Sequence, residues 1–134
     1  MQETVFSKII KGELPSVRLY EDEICIVILD INPVAKGHSL VICKQVIPTV
    51  EDTPDSILSH MILVTKKVDS KLREVLHCDA TNILINNGPA AGQDVPQLHI
   101  HVIPRYHGDR TKMPIPHEKY ADGEMADLGK KLAL

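Results

Sequence analysis

The sequence predicts an α+β fold, an antiparallel five-stranded sheet with one long helix and short helices near the two ends of the chain. Apolar, β-branched segments joined by short links make up much of the chain, which favours an antiparallel sheet. One long segment with a helical period interrupts them. With 134 residues, the chain is long enough for a single domain over residues 1–134, and we expect its helices to pack on one face of the sheet.

Each shorter element has its own signal. The segment TVFSKIIKGELP predicts a helix that ends at Gly12, because Pro15 prevents a restart. VRLYED, EICIVILDI and HSLVICK predict three strands, and the second is apolar enough to lie inside the sheet. ATNILINN and QLHIHVIP predict the fourth and fifth strands. A last short helix is expected around Met125, Leu128 and Leu132.

The segment TPDSILSHMILVTKKVDSKLREVL predicts the long helix. We expect Asp52 or Thr53 to cap it, Pro54 to occupy its first turn and Asp55 to complement the helix dipole there. Its apolar residues follow a helical period and are expected to pack against the strands. They are Ile57, Leu58, Met61, Val64, Val68, Leu72 and Val75.

Composition excludes several classes of function. The net charge of -3 gives no sign of a surface for nucleic acid or for an anionic membrane. The N-terminal segment lacks the apolar core of a secretory signal, and no segment approaches the ~20 apolar residues of a membrane span. The three cysteines, Cys25, Cys43 and Cys78, are odd in number and far apart, which favours reduced thiols. We therefore expect a cytoplasmic protein.

The segment QLHIHVIPR places three hydrogen-bonding side chains at intervals of two. On a strand, Gln97, His99 and His101 share one face, and the intervening apolar residues share the other. Such a row fits an ordinary half-exposed strand, a metal site or a catalytic site. A metal site needs a third or fourth ligand, and no other histidine or cysteine has a recognisable ligand spacing, so no metal is expected.

The neighbouring segments favour the catalytic interpretation. The loop NNGPAAGQDVP is rich in small residues, which let backbone amides approach a phosphate closely. A neutral imidazole is a nucleophile toward phosphorus, and a second one on the same face can stabilise charge or move a proton. Asp30 stands at a strand end, where a carboxylate can accept the hydroxyls of a ribose or simply stabilise a turn.

Taken together, several segments resemble the histidine triad (HIT) family of nucleotide hydrolases and transferases. The resemblance covers residues 5–108 and rests on FSKIIKGELP, LDINPVAKGHSLVICK, NNGPAAGQDVPQLHIHVIPR and YHGD. The family motif is His-φ-His-φ-His-φ-φ, where φ is apolar, and it stands here as QLHIHVI. Residues 5–108 are thus the expected core, and residues 109–134 form a tail without an assignable resemblance.

The resemblance implies a homodimer whose two sheets join, with a purine nucleotide bound in each subunit and no cofactor. His99 corresponds to the histidine that attacks the α-phosphate, and the resulting nucleotidyl-histidine is then cleaved by water. His101 corresponds to the histidine that assists at the phosphate, and Asp30 to the carboxylate that binds ribose. The remaining nucleotide-binding positions implied by the resemblance are Ile28 and Leu29 near the base, the adjacent Ile31, Asn86 and Gln93 around ribose and phosphate, the amides of Asp94 and Val95, and His38 of the segment GHSLVI, which supports the residues that contact the ligand.

The chain departs from the family pattern at two places. Gln97 stands where the family has its first histidine, and glutamine does not titrate near pH 7. Glutamine suffices if this position only orients its neighbours. If the position relays protons, its replacement by glutamine would lower the catalytic rate by ~10²-fold or more. Thr4, Ser7 and Val46 stand where many relatives carry zinc ligands, so no structural zinc is expected.

The leading functional hypothesis is hydrolysis at the α-phosphate of a purine nucleotide, of the adenosine 5′-phosphoramidate or nucleotidyl-amine type. Hydrolysis of dinucleoside polyphosphates and nucleotidyl transfer share the same intermediate and remain alternatives. A different class is also open: a nucleotide-binding dimer that acts through partner contacts, with its triad weakened at Gln97.

Overall fold

The computed structural model describes residues 2–109 and 115–134. It contains three α-helices, five strands and one short 3₁₀ turn among these residues. In chain order they are α1 (Val5–Ile10), β1 (Arg18–Glu21), β2 (Cys25–Leu29), β3 (Ser39–Cys43), α2 (Asp55–Leu76), β4 (Ala80–Leu84), the 3₁₀ turn (Pro89–Ala91), β5 (His99–Arg105) and α3 (Glu124–Leu132).

The five strands form one antiparallel sheet, which confirms the predicted fold class. Their order is β1-β2-β3-β5-β4, so β2 lies inside the sheet as expected and β3 lies at its centre. The register places Ile42 opposite His99 and Leu40 opposite His101. The two histidines therefore lie over the middle of the sheet rather than at an edge.

The helices pack on both faces of the sheet. On one face, α2 covers Leu98, Ile100 and Val102, which lie in one core cluster with Met61 and Val64. On the other face, α1 contributes Phe6 to a second cluster of buried residues: Phe6, Ile26, Ile28, Leu40 and Ile42. The expectation that all helices share one face is wrong for α1. The inner strands are apolar on both faces, and each face needs its own cover.

The long helix α2 begins differently from the prediction. Pro54 is its N-cap residue, and no side chain caps its first turn. The Thr53 hydroxyl donates instead to the Thr49 carbonyl at 2.7 Å, and the Asp52 carboxylate accepts from the Thr49 hydroxyl at 3.1 Å. Both expected caps therefore stabilise the preceding turn.

The apolar stripe of α2 packs on the sheet through most of its length. Met61, Val64, Val68 and Leu72 are buried, as predicted, whereas Val75 is 58% exposed. In the last turn, the half-buried Leu76 packs on the core instead of Val75.

The two terminal helices lie where the sequence predicts them. Thr4 and Ser7 form a capping box at the start of α1, and Gly12 follows its end with a φ of +82°, which favours glycine. At the other end of the chain, no residue of α3 is buried. In the described ranges, no helix is long and apolar enough to cross a lipid bilayer.

Candidate active site

A cleft of about 490 Å³ opens on the face of the sheet that α1 partly covers. It lies between α1, the end of β2 and the start of β5. Eight residues predicted for the site line it: Ile28, Leu29, Asp30, Ile31, Asp94, Val95, His99 and His101. The structure therefore brings these eight aliphatic, acidic and imidazole side chains together in one cleft.

His99 is held in one tautomer by the backbone. Its Nδ1 lies 2.8 Å from the Gln97 carbonyl, which can only accept, so Nδ1 carries the proton and donates it. Nε2 is left with a lone pair. The side chain is buried, and Phe6 of α1 packs edge-on against its ring with the centroids 4.9 Å apart. Burial lowers the pKa of His99, so the ring is neutral at neutral pH.

His38 sets the tautomer of His101 through a chain of hydrogen bonds. The Val34 backbone N–H donates to His38 Nδ1 at 3.1 Å, so the proton of a neutral His38 lies on Nε2. That Nε2 lies 2.9 Å from His101 Nδ1 and donates to it. The proton of His101 is consequently on its own Nε2. His38 itself is buried and does not line the cleft, so it acts through His101.

His101 is left with an unsatisfied donor. Its Nε2 is the one buried side-chain nitrogen or oxygen within residues 2–109 and 115–134 that has no hydrogen-bond partner. Burial, together with the nearby His99 and His38, lowers the pKa of His101 to about 4. A neutral N–H donor without a partner is costly in a protein interior, and an acceptor oxygen placed next to it would remove that cost.

Asp30 lies at the mouth of the cleft, directly after β2. One carboxylate oxygen accepts from the Asn32 amide at 2.8 Å, which is the turn role considered for this residue. The other oxygen lies 3.6 Å from His38 Nε2. Because Asp30 also lines the cleft, its carboxylate has lone pairs left for the hydroxyl groups of a ligand.

The side chain of Gln97 lies outside the cleft. It is fully buried, its amide oxygen accepts from the Thr4 hydroxyl, and its amide nitrogen donates to the Cys43 carbonyl at 2.6 Å. It therefore ties the first residues of α1 to the end of β3. Its backbone carbonyl, and not its side chain, contacts His99.

Two further predicted residues also lie away from the cleft. The Gln93 side chain closes its own loop, accepting from the Gly88 amide at 2.8 Å and donating to the carbonyls of Pro48 and Val95. Asn86 is half-buried and is not part of the cleft lining. Gln93 thus holds the small-residue loop in shape rather than facing the cleft.

Sequence reasoning missed the part of the cleft that α1 and the following loop supply. The sequence did predict that α1 has one apolar side. Nothing in the sequence indicated which surface of the sheet that side covers. The missed residues of this part are Val5, Phe6, Ile9, Leu14, Pro15 and Ser16. Asn32 after β2 and Leu40 of β3 were missed as well.

Two side-chain clusters have ligand types that suit a metal ion. In the first, Asp30, His38 and His101, the hydrogen bond between the two imidazoles already occupies both facing nitrogens. In the second, the Asp22 carboxylate accepts from two backbone amides, from the Tyr20 hydroxyl and from His60. Burial raises the pKa of Cys25, the third member, to about 12. Neither cluster offers a free ligand set.

Comparison with known proteins identifies the family. The model of the HIT domain matches residues 11–108. The chain belongs to the HIT domain family. A crystal structure of a HIT family member from Bacillus subtilis superposes on it with a TM-score of 0.88 at 32% identity, covering 98% of this chain and 96% of that one.

Two relatives within the HIT family carry names that state an activity. The Arabidopsis thaliana protein named adenylylsulfatase HINT3 is 46% identical over 105 residues, which is 78% of this chain and 53% of that protein. The Saccharomyces cerevisiae protein named adenosine 5'-monophosphoramidase HNT1 is 39% identical over 101 residues, 75% of this chain and 61% of that protein. The chain thus spans only about half to three-fifths of the length of these two relatives.

Proposed function

We propose that this HIT protein is a nucleotide hydrolase that cleaves at the α-phosphate of purine nucleotides of the adenosine 5′-phosphoramidate or nucleotidyl-amine type. One observation carries the proposal. Two neutral histidines with opposite roles line the same cleft, because the tautomers leave a lone pair on His99 Nε2 and a proton on His101 Nε2. Nucleophilic attack on a phosphorus atom uses both: a nucleophile with a free lone pair and a hydrogen-bond donor that stabilises the negative charge on the phosphoryl oxygens.

In the proposed reaction, His99 Nε2 attacks the α-phosphorus. A phosphorus–nitrogen bond to His99 forms, the bond to the leaving amine breaks, and the amine takes a proton from solvent water. The His99 ring becomes cationic in this step, and its Nδ1–H bond to the Gln97 carbonyl stabilises the charge. The N–H of His101 donates to a phosphoryl oxygen. Water then cleaves the nucleotidyl-histidine: its oxygen bonds to phosphorus, its proton returns to solvent, and the nucleoside monophosphate and neutral His99 are released.

The rest of the cleft supports a nucleoside as the occupant. Asp30 has carboxylate lone pairs for the ribose hydroxyls, and the aliphatic side chains of Ile28, Leu29 and Ile31 offer an apolar surface for the base. The amides of Asp94 and Val95 follow a loop shaped by Gly88 and Gly92, whose φ angles of +99° and +93° favour glycine. Backbone amides in such a loop suit a phosphate.

We assign Gln97 a structural role in this site, although it occupies the position of the first triad histidine. Its amide oxygen accepts from Thr4, its amide nitrogen donates to the Cys43 carbonyl, and its side chain does not line the cleft. A group in that position cannot receive a proton from the substrate. The nucleophile and donor, His99 and His101, are both present, which favours an enzyme over a degraded binding protein.

The names of the two relatives support the same class of reaction, since each states an activity on an adenylyl compound. Hydrolysis of dinucleoside polyphosphates and transfer to an acceptor other than water share the intermediate and remain the alternatives. The resemblance also leads us to propose a homodimer. The three cysteines, all free and buried, support a cytoplasmic location.

A steady-state assay with a fluorogenic adenosine phosphoramidate tests the proposal. We expect turnover by this protein and none by His99→Ala, which should still bind AMP. His107→Ala is the matched control, because His107 is exposed and outside the cleft. Turnover by His99→Ala equal to that of the unchanged protein would reject His99 as the nucleophile. Assaying a dinucleoside polyphosphate in parallel and analysing the products distinguishes polyphosphate hydrolysis from phosphoramidate hydrolysis.

A further inference from the structure

The cleft contains a carboxylate that the proposed reaction does not use. Asp94 is exposed and lines the cleft together with His99 and His101. Within residues 2–109 and 115–134, its carboxylate has no hydrogen bond and no ion pair. A carboxylate without a partner in the protein is available to interact, by its charge, with a group bound beside it.

Hydrogen bonds on both sides of Asp94 fix the position of its backbone. The side-chain amide of Gln93 donates to the Val95 carbonyl at 3.0 Å, and the backbone N–H of Gln97 donates to the same carbonyl at 2.8 Å. The Gln93 amide also donates to the Pro48 carbonyl at 2.7 Å, which ties the loop to a second segment. The carboxylate of Asp94 therefore stays next to the backbone amide that would hold the phosphate.

The charge of the cleft lining is negative. Asp30 and Asp94 contribute carboxylates, and among the described residues that line the cleft none is a lysine or an arginine. Burial lowers the pKa of His99 and of His101, and the negative charges of Asp30 and Asp94 oppose this lowering without reversing it. The charge of both carboxylates therefore reaches the two imidazoles. Asp30 has its place at the ribose, which leaves Asp94 to act on the group attached to the phosphate.

The leaving groups of the possible reactions differ in charge. In the proposed reaction the leaving nitrogen takes a proton from solvent water, so positive charge develops on it while the phosphorus–nitrogen bond breaks. The amine departs with the electron pair of that bond. In a dinucleoside polyphosphate the leaving group is a phosphate chain, which departs with negative charge. A nearby carboxylate attracts the first leaving group and repels the second.

We propose that Asp94 is a specificity-determining residue that selects the leaving group by charge. Its carboxylate favours amines, above all amines that carry a second, cationic group, and disfavours leaving groups that carry negative charge. This selection rests on the proposed function, because it concerns the same reaction. It narrows the substrate class to nucleoside phosphoramidates of basic amines.

Three adenosine 5′-phosphoramidates of equal length test the selection. The ethylenediamine derivative ends in an ammonium group, the propylamine derivative in a methyl group and the glycine derivative in a carboxylate. Release of AMP gives kcat/KM for each. Because the three amines also differ in basicity, the quantity to compare between proteins is the ratio of kcat/KM for the cationic and the anionic substrate. Asp94→Asn should lower this ratio about tenfold, since two unit charges of opposite sign are compared.

Two control variants separate charge from structure. Glu23→Gln removes one negative charge at an exposed position outside the cleft, and it should leave the ratio unchanged. Asp94→Glu keeps the charge and should keep most of the ratio. Added salt should lower the ratio in the unchanged protein but not in Asp94→Asn, because salt screens interactions between exposed charges. A merely structural role of Asp94 would change kcat/KM for all three substrates alike.

The outcomes distinguish this selection from the reaction on which it rests. An equal ratio in the unchanged protein and in Asp94→Asn, with turnover by both, would overturn selection by Asp94 and leave the proposed function standing. A ratio that falls as far in Asp94→Glu as in Asp94→Asn would also overturn it, because the charge is retained. Turnover of none of the three phosphoramidates would reject the proposed function, and the selection with it.

Discussion

At the scale of single residues, hydrogen bonds set what each histidine of the cleft can do. A carbonyl next to Nδ1 makes His99 an acceptor at Nε2, whereas a donor next to Nδ1 makes His101 a donor at Nε2. His99 is buried, His101 is half-buried with its Nε2 enclosed, and burial lowers the pKa of each. The two identical side chains therefore have different chemistry because their neighbours differ.

This arrangement predicts the pH dependence of catalysis. The nucleophile must be neutral, and burial lowers the pKa of His99 below the ordinary value of about 6.5. We therefore expect the acidic limb of the kcat/KM profile to fall at a pH below about 6.5, since that limb reports the essential base of the free enzyme. The measurement is kcat/KM across the acidic range. An acidic limb at or above that value would contradict a buried neutral nucleophile.

The sequence predicted that His99, His101 and Asp30 lie close together, as they do in the cleft, because strand alternation and position at a strand end are local properties of the sequence. The position of Gln97 was not predictable in the same way. Its partners, Thr4 and the Cys43 carbonyl, are far away in the sequence, and only the packing of α1 on the sheet brings them together. Gln93 likewise turns away from the cleft because its loop offers closer partners.

At the scale of elements, Gln97 fastens α1 to the sheet, and α1 in turn places Phe6 against His99. We expect Gln97→Leu to lower the free energy of unfolding by about 1–3 kcal/mol, because the buried Cys43 carbonyl loses its donor. Urea unfolding measures this change. Gln45→Leu is the matched control, because Gln45 is exposed.

The complementary variant, Gln97→His, separates the structural role from a proton relay. We expect it to change kcat by less than about tenfold, because the side chain of Gln97 does not line the cleft. A gain of ~10²-fold or more, with a new titration in the pH profile, would show that the first triad position relays protons and that glutamine disables it.

The strands and α2 were predictable because apolar runs and helical periods are strong signals. Two features of the helices were not. A helical period shows that α1 has an apolar side but not which face of the sheet it covers. The predicted N-cap of α2 was wrong because the Thr53 hydroxyl and the Asp52 carboxylate also suit the turn before the helix. They form their hydrogen bonds within that turn instead of capping the helix.

At the scale of the whole molecule, the buried histidines couple stability to pH. Burial lowers the pKa of His38, His99 and His101 in the folded state. Below about pH 6.5 the unfolded chain therefore binds protons that the folded chain does not, so acid favours unfolding. Stability should fall as the pH drops from about 6.5 toward about 4, the folded pKa of His101.

We expect the contribution of His101 to this loss to be of order 1–3 kcal/mol. Urea unfolding at several pH values across the window measures it. His101→Asn should flatten the dependence, and His107→Asn, at an exposed position, should not. An equal slope for the unchanged protein and His101→Asn would contradict a His101 with a lowered pKa.

The central claim is the covalent bond between His99 and the nucleotide. Mass spectrometry of the intact protein, mixed with an adenosine phosphoramidate and quenched in denaturant before the intermediate hydrolyses, measures it directly. We predict a species heavier by one adenylyl group, with the modification on His99, and no such species in His99→Ala. An unmodified protein during active turnover, or an adduct that persists in His99→Ala, would contradict the account.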